Sequence, residues 1–147
     1  MKEIILVKFG EMALKGQNKY SFEDALFRQI KYRLKNTGNF RYSSAQSTIY
    51  IEPLEENTDL DAVIEILRKI FGIASICRAC VCEKNFTDIQ EKTLHYLREQ
   101  LEDADSFKIE AKRADKKFPM KSPEICRELG AVVCEAFPNL TVDVHNP

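Results

Sequence analysis

Between Lys108 and Lys121 the chain carries six cations, Lys108, Lys112, Arg113, Lys116, Lys117 and Lys121, against two acids, Glu110 and Asp115, although the net charge of the protein is −1. The chemistry open to such a cluster is anion binding. Ammonium and guanidinium groups neutralise phosphates, and a helix start nearby adds unpaired backbone N–H groups and the positive end of a dipole. Ser122-Pro123-Glu124 has the composition of such a start, with Ser122 to cap, Pro123 for the first helical position and Glu124 favoured by the dipole. The plain alternative for any charge cluster is a solvated polar loop. Phe118, the one aromatic at the loop tip, has two readings as well: an exposed base stacks on it, or it anchors the loop.

The other chemistry-bearing residues are less organised. Cys77, Cys80 and Cys82 lie in a stretch that reads as a strand, where Cys77 and Cys80 point to opposite faces and cannot share a metal. Cys126 and Cys134 are eight apart on an expected helix without a second ligand pair, and the odd total of five argues against a disulfide framework. Most of the cysteines are therefore expected to be small buried hydrophobes. His95 and His145 have no partner that suggests catalysis or ligation.

The elements that must position the basic loop follow from periodicity. Phe107, Ile109 and Ala111 alternate with Lys108, Glu110 and Lys112, the pattern of a half-buried strand leading into the loop. After the loop, Ile125, Leu129, Val132, Val133, Ala136 and Phe137 form the apolar face of a helix, and Leu140, Val142 and Val144 alternate as a last strand. Upstream, Thr87 is placed to cap a helix with Ile89, Leu94, Leu97 and Leu101 on one side. Two strands rarely sustain two helices, so a further strand or hairpin is expected beyond Pro147.

The first half is more regular. Ile4 to Phe9 reads as a central strand, because both of its faces are apolar. A polar connection from Gly10 to Lys19 follows, a second place to look for function. Ser21 is expected to cap a helix striped by Phe22, Ala25, Leu26, Ile30 and Leu34 and ended by Gly38. Two strands joined through Ser43-Ser44-Ala45-Gln46-Ser47 come next, and then a helix with Leu60, Val63, Ile64, Leu67, Ile70 and Phe71 on one face, closed by Gly72 in a left-handed cap. A strand runs on to about Cys82. The order strand, helix, strand, strand, helix, strand is that of a ferredoxin-like βαββαβ domain. Glu52, Glu55, Glu56, Asp59, Asp61 and Glu65 make its acidic side, which repels nucleic acid.

At 44% hydrophobic and 31% charged residues, with no apolar run near the roughly 20 residues that span a bilayer, the composition is that of a soluble globular chain, and the expected compartment is the cytoplasm.

Two segments carry a family resemblance. Phe9-Gly10-Glu11-Met12-Ala13-Leu14-Lys15-Gly16, and Ala111-Lys112-Arg113-Ala114-Asp115-Lys116-Lys117-Phe118-Pro119 ahead of Ser122-Pro123-Glu124, resemble the N-terminal half of the tRNA 4-thiouridine synthetases, or tRNA sulfurtransferases, a family linked to thiamine thiazole synthesis. The resemblance covers essentially all 147 residues. It implies an α+β chain with a ferredoxin-like domain over residues 1–78 and a THUMP domain, an RNA-binding module, over residues 79–147, incomplete at its C-terminus.

The resemblance also implies tRNA as partner, gripped by its acceptor arm and 3′ end, and a homodimer in the full-length protein. Lys112, Arg113, Lys116, Lys117, Phe118 and Lys121 are then the RNA-binding residues, with Lys15 and Lys19 and the basic helix residues Arg28, Lys31 and Lys35 extending the track. The family's reaction, sulfur transfer to uridine 8 with ATP and Mg²⁺, belongs to a further domain. Sulfur comes from a cysteine desulfurase or another donor, in some members through a rhodanese-like domain. This chain has no Gly-rich phosphate loop and no assignable sulfur-carrying cysteine, so the expectation is a tRNA-binding, non-catalytic fragment with no cofactor or metal of its own. Two other readings stay open: the RNA module of a methyltransferase or pseudouridine synthase, and a ferredoxin-like interaction or regulatory module without RNA.

Overall fold

The computed structural model describes residues 2–9 and 19–147, which divide into two compact units, one ending at Val81 and one running from Cys82 to Pro147. The first contains β1 (Glu3–Phe9), α1 (Lys19–Leu34), β2 (Phe40–Ala45), β3 (Thr48–Pro53), α2 (Leu60–Leu67) and β4 (Ile73–Cys80). Its strands pair antiparallel in the order β2-β3-β1-β4, the ferredoxin-like arrangement.

The alternation in β1 explains its central place. Ile5, Val7 and Phe9 are buried on the inner face beside Ile49 and Ile51 of β3, and they share one core with Leu26, Ile30 and Leu34 of α1 and Leu60, Val63 and Leu67 of α2. Burying each such aliphatic side chain contributes about 1.5–3 kcal/mol. Ile4 and Leu6, on the opposite face, are half-buried.

Several local expectations are corrected. Ser21 is not a cap, since α1 begins at Lys19, and the helix stops at Leu34, four residues before Gly38. Ala25 lies off the apolar stripe and is exposed. The β2–β3 turn is only Gln46-Ser47, at φ 48° and 67°, because the positive-φ two-residue turn matches the strand twist and lets β2 reach Ala45. Phe71 is not part of the buried stripe but 90% exposed. Past Leu67 the chain makes i→i+3 bonds, Lys69 N–H to the Ile66 carbonyl and Ile70 N–H to the Leu67 carbonyl, and this tighter winding turns Ile70 inward and Phe71 out. Gly72 does adopt the left-handed conformation, at φ +100°.

The second unit contains α3 (Phe86–Tyr96), α4 (Arg98–Asp103), β5 (Ser106–Phe107), α5 (Ser122–Ala136) and β6 (Thr141–Val142). The single helix expected after Thr87 is two, broken at Leu97, and Asn85 rather than Thr87 is its cap, accepting from Asp88 N–H at 2.8 Å. β5 and β6 pair in parallel over two residues each, far shorter than the expected strands. Exposure nevertheless keeps alternating from Phe107 to Arg113, with Phe107 buried, Ile109, Ala111 and Arg113 half-buried, and Lys108, Glu110 and Lys112 exposed. Phe107, Val133, Phe137 and Leu140 form the core, with Leu94, Leu101, Ile109 and Cys134 packed against it. Ala136, expected on the buried helix face, is exposed, as are Val142 and Val144.

A side chain at Gly72 would meet two obstacles, the positive φ and the ring of Phe22, whose Cζ lies 2.5 Å from where a Cβ would stand. Gly72→Ala is expected to destabilise the first unit by about 2–4 kcal/mol in chemical denaturation. A change under 1 kcal/mol, on the scale of an ordinary surface substitution, would contradict this packing.

Candidate nucleic-acid interface

The basic loop leaves β5 and enters α5, and its shape is set by hydrogen bonds the chain makes with itself. Arg113 Nη1 donates to the Phe118 carbonyl at 3.1 Å, and Phe118 N–H donates to the Asp115 carbonyl at 3.1 Å. Asp115 Oδ1 accepts from Lys117 N–H at 3.0 Å, and its Oδ2 accepts from Lys84 Nζ at 3.3 Å. Lys112, Lys116, Lys117 and Lys121 are exposed, and the side chains of Lys116, Lys117 and Lys121 form no ion pair with a described residue. Lys108, by contrast, pairs with Glu110 at 2.7 Å.

The start of α5 is unusual for a 15-residue helix. Ser122 is inside the first turn instead of capping it, and the N-cap position is held by Lys121, which makes no side-chain hydrogen bond to a first-turn N–H. The lysine side chain has no acceptor to offer and sits at the positive end of the dipole, so the local arrangement favours an anion arriving from outside.

The second unit as a whole has ten Lys and Arg against thirteen Asp and Glu. Its positive charge is therefore concentrated in the loop, and any affinity of this unit for a polyanion has to originate there.

The predicted site residues separate into two groups. Lys112, Lys116, Lys117 and Lys121 are exposed residues of one loop. Arg113 is half-buried and ties the loop closed, and Phe118 is half-buried with both backbone polar groups engaged, apart from the unit's core cluster. Lys15 lies outside the described residues, and Lys19 is the first residue of α1. On α1, Lys31 Nζ sits 4.4 Å from the Phe27 ring centre and 5.5 Å from that of Tyr42, and Arg28 Nε donates to the Asp24 carbonyl at 3.4 Å, while Lys35 Nζ, one residue past the helix, sits 4.1 Å from the Tyr32 ring centre. Lys84 was missed from sequence, being 31 residues from Asp115; the one available signal was a lone acid amid cations.

The acidic side of the first unit is as expected, with Glu55, Glu56, Asp59, Asp61 and Glu65 exposed. Glu52 is half-buried and paired with Lys2 and Arg41, while Arg78 joins Glu3 to Asp61. The cysteine expectation is corrected: Cys77 and Cys82 are exposed and Cys80, Cys126 and Cys134 half-buried, since β4 and α5 carry four of them at the margins of their cores and Cys82 lies past the end of β4. Among the described residues no group of His, Cys, Asp or Glu is arranged to hold a metal ion, and no helix is long and apolar enough to cross a membrane.

Fold and site together define a ferredoxin-like domain followed by a small α/β domain that presents a cationic loop at a helix start. The family described as the ThiI ferredoxin-like domain matches residues 4–77, and the THUMP domain family matches residues 83–147. The chain belongs to the ThiI family, of which it carries the ferredoxin-like and THUMP domains.

Among its relatives are proteins named probable tRNA sulfurtransferase from Acetivibrio thermocellus, 43% identical over 149 residues, and Lachnospira eligens, 42% identical over 150. Both matches cover all of this chain, which spans 38% of the length of either relative. A solved 4-thiouridine synthetase in complex with RNA and ATP matches with a TM-score of 0.79 at 33% identity, over 100% of this chain and 36% of that one. A Pyrococcus horikoshii structure matches with a TM-score of 0.80 at 25% identity, over 98% of this chain and 48% of that one.

The Asp115 carboxyl is held below the ordinary carboxylate range, first by the Lys117 N–H it accepts, then by the Lys84 ammonium, with Arg113 adding to the effect and partial burial opposing it. A lowered folded pKa stabilises the closed loop above the ordinary Asp value of about 3.9, and that contribution vanishes as pH falls through the folded value. In an NMR titration the Asp115 carboxyl carbon is expected to have its midpoint below about 3.9. A midpoint at or above that value would contradict the contacts described.

Proposed function

We propose that this chain is the tRNA-gripping part of a tRNA sulfurtransferase. In this reading the THUMP unit takes the single-stranded 3′ end of the acceptor arm on Lys112, Lys116, Lys117 and Lys121, and the ferredoxin-like unit extends the contact along the acceptor stem through Lys31 and Lys35. The supporting observation is the self-closed cationic loop at the uncapped start of α5, inside the segment that matches the THUMP family. A single-stranded end suits such a loop, because phosphates meet the ammonium groups while an unpaired base is free to lie on Phe118. Arg113 is assigned to closing the loop, not to phosphate.

The names of the relatives favour sulfur transfer over methyl transfer or pseudouridine formation. On this reading the reaction itself, 4-thiouridine formation at uridine 8 with ATP, Mg²⁺ and a sulfur donor such as a cysteine desulfurase, takes place in a further domain of a cytoplasmic homodimer that also serves thiamine thiazole synthesis.

The test is tRNA binding by fluorescence anisotropy across a salt series. Lys112→Glu/Lys116→Glu/Lys117→Glu is expected to bind at least about tenfold more weakly at moderate salt, with the slope of log K against log salt flatter by about 2. The parent should also lose affinity for tRNA lacking its single-stranded 3′ tail. A triple variant that binds as tightly as the parent would overturn the assignment.

A further inference from the structure

Asp115 stands in the one strongly positive stretch of its unit, flanked by Arg113, Lys116 and Lys117. By charge alone it weakens the attraction of that stretch for a polyanion, so its contribution has to be sought in geometry.

Three closures meet at this residue. Its carboxylate accepts from Lys117 N–H two residues on, its carbonyl accepts from Phe118 N–H three residues on, and Arg113, two residues before it, reaches across to the Phe118 carbonyl. Residues 113–118 are thereby wound into one compact turn, from which the Lys116 and Lys117 side chains project to solvent. The second carboxylate oxygen is held by Lys84, whose own backbone is fixed from both sides. Asp88 Oδ2 accepts from Glu83 N–H at 2.6 Å, and Asn85 caps α3 while its N–H donates to the Glu83 carbonyl. A surface ion pair thus links the loop to the start of α3, distant in sequence.

We infer that Asp115 is a positioning residue for RNA binding: its carboxylate, tethered by Lys84, holds the loop in the closed turn that gathers Lys116 and Lys117 beside Lys112 and Lys121. This rests on the RNA reading given above. Without the side-chain acceptor for Lys117 N–H the loop samples open conformations, and the ammonium groups repel one another apart. Ordering them again on binding costs conformational entropy that the closed loop has already lost in folding. Removing this acceptor together with its charge therefore weakens the binding of an anion, the opposite of what charge counting gives.

Asp115→Ala and Asp115→Asn test the inference, because both remove the same charge but only asparagine retains an acceptor for Lys117 N–H. Asp115→Ala is expected to bind tRNA about 3- to 10-fold more weakly than the parent despite its added net positive charge, with Asp115→Asn recovering most of the loss. The melting temperature should fall only slightly in both, because a surface loop is freed while the core of the unit is kept. Amide hydrogen exchange should show Lys117 and Phe118 protected in the parent and in Asp115→Asn, and unprotected in Asp115→Ala.

Equal or tighter binding by Asp115→Ala, or equal weakness of the two variants, overturns the inference. A parent without tRNA affinity removes both the inference and the RNA reading, and protected Lys117 and Phe118 amides in that sample would place the failure in the RNA reading, not in the loop.

Discussion

The parallel pairing of β5 with β6 is the constraint from which the candidate site follows. A parallel pair cannot be joined by a tight turn, so the chain that leaves Phe107 has to travel the length of the unit before returning at Thr141. That crossover is built from the basic loop and α5. It sets the loop at the end of a strand and the beginning of a helix, where backbone N–H groups and a helix dipole face outward together. Asp143 N–H donating to the Phe107 carbonyl, and Thr141 N–H donating to the Asp105 carbonyl, hold the short pair in register. The core beneath it, Phe107 with Val133, Phe137 and Leu140, keeps α5 against it. A loop of this length and charge would not hold a shape without internal ties, and Arg113, Asp115 and Lys84 provide them.

The first unit works by a different economy of charge. Its sheet is registered on β1, and its inner face is filled by two helices, so the polar residues are distributed by what remains outside. Acids gather where β3 turns into α2, partly neutralised by Lys2, Arg41 and Arg78, while cations line α1. Lys31 of α1 and Lys35 just past it lie over aromatic rings, which holds the long side chains in place without neutralising them. The domain therefore collects its acids at the β3–α2 connection and keeps cations along α1, an uneven distribution of charge in a nearly neutral protein.

How much of this was legible in the sequence differs between the units for a physical reason. In the first, period-2 and period-3.6 patterns mark every element, since each has one face in a core shared by all six. The errors are local: the winding after Leu67 that exposes Phe71, and a two-residue turn where a longer one was expected. In the second, alternation from Phe107 onward reads as a long strand, and exposure does alternate as far as Arg113, yet the ladder with β6 covers only Ser106 and Phe107. Likewise the apolar residues from Ile89 to Leu101 read as one helix, and the break at Leu97 leaves no trace in their spacing.

By itself, then, the sequence determined the order of the elements in the first unit, the basic composition of the loop and the helix start behind it, because local periodicity and residue type are properties of neighbours along the chain. Which cations face solvent, and which residue holds the loop, was decided only by the tertiary structure. Arg113 and Lys112 are adjacent and chemically alike, but one turns inward to the Phe118 carbonyl and the other is exposed. Lys84 reaches Asp115 across 31 residues only because the packed second unit brings the start of α3 beside the loop, and a contact between such distant segments has no signature in either of them.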